Sequence, residues 1–315
     1  MEFKQQLLDC HQRIKPFVHR TPVLTSRLVD EMVGAELFFK CENFQRMGAF
    51  KMRGATNAVL SLSEQDRAKG VVTHSSGNMA QAVSLAAQSV GVAAYIVMPE
   101  NAPQVKKDAV AAYGGQIIEV ESTALARETK ADEVADETGA SFIHPSNQIE
   151  VILGQGTACL ELLEDYPDLD FVLTPVGGGG LIAGSALAVR YFGTECQTVG
   201  GEPMLADDAY RSLASGKIEN NEGTDSGKTI ADGLRTTLGD VNFPIIQNHV
   251  ERIIRVDEAE IVAAMRLIWE RMKIIVEPSC AVPLAAVGRK PEHFVGKKVG
   301  IVLSGGNVDL GKLPF

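Results

Sequence analysis

The sequence predicts an α/β fold made of two open, twisted, parallel-sheet units with a ligand cleft between them. From residue 70 onward, short β-branched runs alternate with longer stretches of helical periodicity, the order that parallel sheets covered by helices produce. Glycine and proline punctuate the alternation: Gly114-Gly115 and Gly139 close two helices, and Pro99 closes a strand. One compact αβ unit is therefore expected from about residue 70 to residue 146. Residues 1–69 and 147–315 would form the larger unit into which it is inserted, and open α/β sheets hold their ligands in the crevice between such units.

In chain order, the expected strands are Val71 to His74, Ala93 to Met98, Gln116 to Val120, Phe171 to Pro175, Thr198 to Glu202, Arg252 to Val256 and Lys298 to Leu303. The stretches between them read as helices. After Asn78, the residues Ala82, Leu85, Ala86 and Val90 recur at helical spacing, and Asn101-Ala102-Pro103 opens another helix with proline near its first turn. No internal repeat is present. Asn220 to Lys228 is polar and rich in turn formers, which marks a surface loop.

With 45% hydrophobic and 22% charged residues, a chain of 315 can bury a full core across about two domains. A formal charge of −10 and a pI near 5.2 argue against a non-specific grip on nucleic acid or an anionic membrane, since both need excess Lys and Arg. A small-molecule partner is expected instead. No apolar run approaches the roughly 20 residues of a membrane-spanning helix. The opening Met1-Glu2-Phe3-Lys4-Gln5-Gln6 lacks the apolar core of a secretory signal, so a cytoplasmic address is expected. Cys10, Cys41, Cys159, Cys196 and Cys280 are odd in number and scattered, which fits reduced, buried thiols better than disulfides or a zinc site.

Four segments carry chemistry. Gly177, Gly178, Gly179 and Gly180 follow an apolar strand and precede the small-residue helix Leu181-Ile182-Ala183-Gly184, so bare backbone N–H groups at a helix N-terminus can converge on an anion. The spacing is not that of a dinucleotide loop and no Walker Lys-Ser/Thr follows, which favours a monophosphate, although a flexible turn would look the same. In Asn43 to Ala55, Phe50-Lys51 sits at a loop-to-helix junction where desolvation would free the amine to attack an aldehyde; alone, such a lysine also reads as a solvated surface residue. Thr73-His74-Ser75-Ser76-Gly77-Asn78-Met79 joins a strand to a helix with hydroxyls and N–H groups suited to a carboxylate, or simply caps that helix. Ser304 lies just beyond the last strand, in Ile301 to Asp309, and by itself is only a strand exit.

Together and in this order, the four segments resemble the fold-type II pyridoxal-phosphate enzymes, and most closely the serine racemase and serine/threonine dehydratase group. The match runs essentially end to end and includes His19-Arg20-Thr21-Pro22, Phe39 to Gln45, Gly154-Gln155-Gly156-Thr157, Thr229 to Gly233 and Trp269 to Lys273. The resemblance implies that Lys51 carries pyridoxal 5′-phosphate as an imine, that Phe50 and Gly233 flank its ring, that Asn78 meets its phenolic oxygen, and that Gly177 to Gly180 hold its phosphate. Ser304 would meet the ring nitrogen; a neutral hydroxyl does not enforce a protonated ring, which disfavours transamination and leaves α-proton exchange and β-elimination. Lys51 and Ser76 would be the two acid/base groups, Ser76 matching the serine that racemases use where many dehydratases carry alanine.

The same resemblance implies a substrate carboxylate held by Ser75, Ser76, Gly77 and the residue at 79, where Met79 replaces the family's usual histidine. Arg127 and Ser146 would face the substrate side chain, and they keep 3-hydroxyaspartate open beside serine and threonine. Glu202, the Ala206 carbonyl and Asp208 resemble an oxygen-rich Mg²⁺ or Ca²⁺ site, although an acidic helix start after a strand reads the same. Relatives are dimers, so a homodimer is expected. With the chain ending shortly after Asp309, no C-terminal amino-acid-sensing domain is expected.

Overall fold

The computed structural model describes residues 2–315 and arranges ten strands in two sheets. The strands are β1 (Val23–Leu24), β2 (Glu36–Cys41), β3 (Val71–His74), β4 (Ala94–Pro99), β5 (Gln116–Val120), β6 (Ser141–Phe142), β7 (Phe171–Pro175), β8 (Gln197–Pro203), β9 (Val250–Val256) and β10 (Lys298–Leu303). The larger sheet has the order β1-β2-β10-β7-β8-β9 and the smaller β5-β4-β3-β6. All pairings are parallel except β1 on β2, a two-residue antiparallel edge. All seven expected strands form, with ends moved by two residues at most.

Three strands escaped the sequence reading. β1 and β6 are two residues each, too short for any periodicity. β2 is full length, but it carries Lys40 with its whole side chain buried, and a lysine inside an apolar run reads as a surface break.

Helices cover both faces of each sheet, as parallel pairing requires. On one face of the larger sheet, helices Glu2–Ile14, Ile149–Asp165 and Gly180–Phe192 pack around Leu7, Ile152, Leu160 and Leu187. On the other, Glu258–Met272 and Pro278–Arg289 pack on Phe39, Val299 and Ile301. The smaller sheet has Asn78–Ser89 on one side and Ala124–Thr138 on the other. Helix Lys51–Ser61 shares the apolar cluster of the smaller sheet through Met52, Ala55 and Val59, while its opposite side packs on Ile149–Asp165. All five cysteines are free; Cys196 is part-exposed and the other four are buried.

Glycine permits the closest helix contacts. A Cβ on Gly184 would lie 2.2 Å from the Ile152 carbonyl oxygen and 2.6 Å from the Gly156 nitrogen, both backbone atoms that cannot swing aside. In an isolated helix Gly→Ala gains up to about 1 kcal/mol. Here the clash wins, and Gly184→Ala is expected to lose about 1–3 kcal/mol in urea unfolding; an unchanged or raised midpoint would contradict the packing described.

Candidate active site

The C-terminal ends of β3, β7 and β10 open on one cleft of about 500 Å³ between the sheets. All the residues expected to bind cofactor or substrate line it, including Lys51, Ser76, Asn78, Arg127, the four glycines and Ser304.

Lys51 opens its helix and projects from the cleft wall. The chain before it is tied to the β10 exit: the Phe50 N–H donates to the Ser304 carbonyl (3.0 Å), and the Gly306 N–H donates to that of Gly48 (2.9 Å). Its Nζ donates to the Pro145 carbonyl at 2.6 Å and stands 5.1 Å from the Phe50 ring centre. Desolvation pushes the amine down from 10.5 to about 8, so only about a tenth of it is neutral at pH 7, still far more than of a solvated lysine. Ser304 is buried directly at the β10 exit.

The glycine loop leads from β7 into helix Gly180–Phe192, with Gly179 in the left-handed region at φ 81°. Asn242 braces it from behind, donating to the Gly178 carbonyl (2.8 Å) and the Ser146 carbonyl (3.3 Å). A Cβ on Gly177 would lie 2.8 Å from the Leu234 Cα and one on Gly180 2.9 Å from the Ser146 carbonyl oxygen, backbone atoms that cannot swing aside, so the loop offers bare backbone at a helix N-terminus. Across the cleft, Ser75 and Ser76 precede Gly77, which caps helix Asn78–Ser89; the Ser75 Oγ accepts the Gly77 N–H. Met79 is only 2% exposed and packs in the apolar cluster of the smaller sheet, so position 79 presents backbone rather than a polar side chain to the cleft. The Arg127 guanidinium donates to the Thr123 carbonyl and, among the described residues, forms no ion pair. The Gly233 N–H is held by the Ser279 hydroxyl at 3.1 Å.

Several cleft residues had no role in the sequence reading. Glu277 is buried in the wall, where desolvation and then the negative Asp232 push its carboxyl up to about 8 while Lys106 acts against them. Its carboxylate accepts from the Asn78 Nδ2 at 3.0 Å and 3.3 Å, and the Asn307 Nδ2 donates to the Asn78 Oδ1 at 2.8 Å, so the Asn78 amide is held from both ends. The Glu277-Pro278 helix start was the available signal, with proline at the first helical position. The His144 Nδ1 accepts N–H bonds from Ser146 and Asn147, which puts its hydrogen on Nε2; burial, then His74 and Lys51, lower it to about 4, so it stays neutral. Lys106 pairs with Asp232 at 3.0 Å across the cleft.

Glu202, Ala206 and Asp208 lie outside this cleft, at the end of β8 and the start of helix Asp208–Ser215. All three are buried. The Glu202 carboxylate accepts the Ala209 and Tyr210 N–H groups, and Asp208 accepts from Asn221 and the Leu238 N–H. Among the described residues neither carboxylate has a Lys or Arg within ion-pair distance, whereas neighbouring Asp207 pairs with Arg211 and Arg255. Among the described residues no helix is long and apolar enough to cross a membrane.

Comparison with known proteins agrees over the whole length. Residues 14–305 match the model of the pyridoxal-phosphate dependent enzyme family. The chain is 50% identical to a β-hydroxyaspartate dehydratase of Paracoccus denitrificans, covering 99% of this chain and 98% of that protein. It is 50% identical to a serine racemase of Arabidopsis thaliana, over 97% of this chain and 93% of that one. The crystal structure of serine racemase from Dictyostelium discoideum superposes with a TM-score of 0.92 at 47% identity, covering 97% of this chain and 98% of the other.

The Lys51 amine is expected to label with acylating reagents at a midpoint near pH 8, well below exposed lysines. Residue-resolved mass spectrometry over a pH series measures this; a midpoint near 10.5 would mean that the amine is solvated.

Proposed function

The chain belongs to the pyridoxal-phosphate dependent enzyme family, and we propose that it eliminates water from a β-hydroxy-α-amino acid, serine or threonine, to an enamine that takes water up again and yields a keto acid and ammonia, and that it also inverts serine at Cα. The observation that carries this reading is that a desolvated lysine amine and the Ser76 hydroxyl line one cleft. The donor set fits the cofactor. Gly177 to Gly180 offer side-chain-free N–H groups for a phosphate, Phe50 and Gly233 line the same cleft and would flank the ring, Asn78 offers an amide hydrogen, and Ser304 offers a neutral hydroxyl.

When bound, the cofactor draws electron density from the substrate Cα and makes its proton labile. The loop Ser75 to Gly77 and the N-terminus of helix Asn78–Ser89 bind the substrate carboxylate through hydroxyls and backbone N–H groups, a grip that does not depend on the side chain at position 79. Lys51 Nζ takes the Cα proton, which its lowered pKa allows near neutral pH. With the proton gone, the β-hydroxyl leaves as water, taking up the proton that Lys51 Nζ removed. Ser76 Oγ returns a proton to Cα from its own side, which gives the other enantiomer in place of elimination.

A second reading, 3-hydroxyaspartate as substrate, is supported by Arg127, a cleft guanidinium that among the described residues has no carboxylate partner. Ser146 beside the glycine loop supplies a further hydrogen-bonding group in the cleft, and two relatives are named for that substrate. At the second site, two buried carboxylates that among the described residues have no Lys or Arg within ion-pair distance, with the Ala206 carbonyl, suit Mg²⁺ or Ca²⁺ as a structural or regulatory ion. The inserted unit 70–146, a homodimer and a cytoplasmic address belong to the same reading.

The test is a panel of L-Ser, D-Ser, L-Thr, L-Asp and the 3-hydroxyaspartates, with keto acid and enantiomer readouts, with and without Mg²⁺. Keto acid and ammonia from the hydroxylated substrates alone are expected. Faster turnover of a 3-hydroxyaspartate than of serine would select the second reading. Ser76→Ala is expected to lower racemisation at least about 100-fold and to spare elimination from the L-substrate; parallel loss of both would refute the two-base assignment.

A further inference from the structure

Four charges lie buried on the side of helix Lys51–Ser61 away from the cleft. Arg53 is two residues beyond Lys51 and therefore points to the opposite side of the helix. Its guanidinium binds two carboxylates at once. Nε and Nη2 donate to the two oxygens of Glu42, and Nη1 and Nη2 to the two oxygens of Glu161, all at 2.8 Å. The fifth N–H, on Nη1, goes to the Thr157 hydroxyl, and the His19 carbonyl lies 3.2 Å from Nη2 and shares a hydrogen with the forks. Lys40 of β2 donates to the Glu161 carboxylate (2.6 Å) and the Thr21 carbonyl (2.7 Å). Arg53, Lys40 and Glu42 are 0% exposed and Glu161 is 2% exposed, so the cluster is sealed from water and balanced in charge.

The polar face continues along the helix at every fourth residue. The Asn57 Oδ1 accepts from Arg13 and its Nδ2 donates to the Glu150 carbonyl, and Arg13 also reaches the Ser61 hydroxyl. Buried ion pairs of this kind add little net stability over apolar side chains of the same volume. What an apolar face lacks is direction. Leucine and methionine tolerate a helix that slides or rotates by a fraction of a turn, whereas two bidentate forks on one guanidinium admit a single register.

We propose that Arg53 is a positioning residue whose double fork to Glu42 and Glu161 fixes the rotation and depth of helix Lys51–Ser61, and so sets where the Lys51 amine stands in the cleft. The opposite side of the same helix is apolar, through Met52, Ala55 and Val59, and cannot supply this registration. The close approach of Gly54 to Gly154 removes any side-chain buffer between helices, so the ionic fork sets the residual freedom; a Cβ on Gly154 would lie 2.5 Å from the Gly54 Cα. This inference rests on Lys51 being the cofactor-bearing amine.

The test separates position from stability. Arg53→Met combined with Glu42→Gln removes one fork partner and the guanidinium yet leaves Lys40 and Glu161 paired, so no buried charge is stranded. It is expected to unfold in urea near the wild-type midpoint, but to bind pyridoxal phosphate at least about 10-fold more weakly, with a diminished visible circular dichroism band. Arg53→Lys keeps the charge without the fork and is expected to lose the same affinity and the same band; it decides the matter if the double variant unfolds. Wild-type affinity and dichroism in either folded variant would overturn the proposal. A wild-type protein that takes up no pyridoxal phosphate would overturn the reading of Lys51, and this inference with it.

Discussion

The double fork of Arg53 on Glu42 and Glu161 is the constraint on which the rest of the structure depends. It joins the segment after β2, the helix that begins at Lys51, and the central helix Ile149–Asp165, and Lys40 of β2 completes it. Burial works against every charge in it, and Arg53 and Lys40 overcome that to hold the Glu161 carboxyl below its ordinary range. A cluster so sealed is expensive to break at any one member, because the remaining charges would be stranded in the core. The parallel pairing of β2 with β10 then brings Ser304 beside Phe50 and Lys51.

The chemistry of the cleft follows from what this frame places around one amine. Desolvation lowers Lys51 and His144, and the same desolvation raises Glu277. One low-dielectric environment therefore yields a part-neutral base, a neutral imidazole and a carboxyl that titrates near neutrality. Ser304 lines the cleft at the strand exit with a neutral hydroxyl, where a carboxylate would impose a charge. Such a site suits reactions in which a proton moves at Cα and the electron pair is either returned to a proton or released by loss of a β-substituent.

Much of this was legible in the sequence where local pattern and fold agree. The strands from Val71 onward stand between glycine and proline punctuation, and a fully buried parallel strand reads as a short apolar run. Lys51, the glycine loop, the Ser75 to Asn78 turn and Ser304 sit at strand ends and helix starts, where open α/β folds expose their functional groups. The rest was hidden for a physical reason. β2 was masked by Lys40, whose burial depends on a carboxylate 121 positions away, and the frame around Arg53 exists only in three dimensions. Glu277 and Asn307 act on Asn78 from 199 and 229 positions away. The value of position 79 was hidden too, because only the fold turns Met79 into the core.

The central claim is covalent: the Lys51 amine holds the cofactor. Reduction of the holoenzyme with borohydride, followed by peptide mapping, tests it most directly. The account predicts one pyridoxyl-phosphate adduct, on Lys51 alone. An adduct on another lysine, or a coloured holoenzyme that yields none, would contradict it.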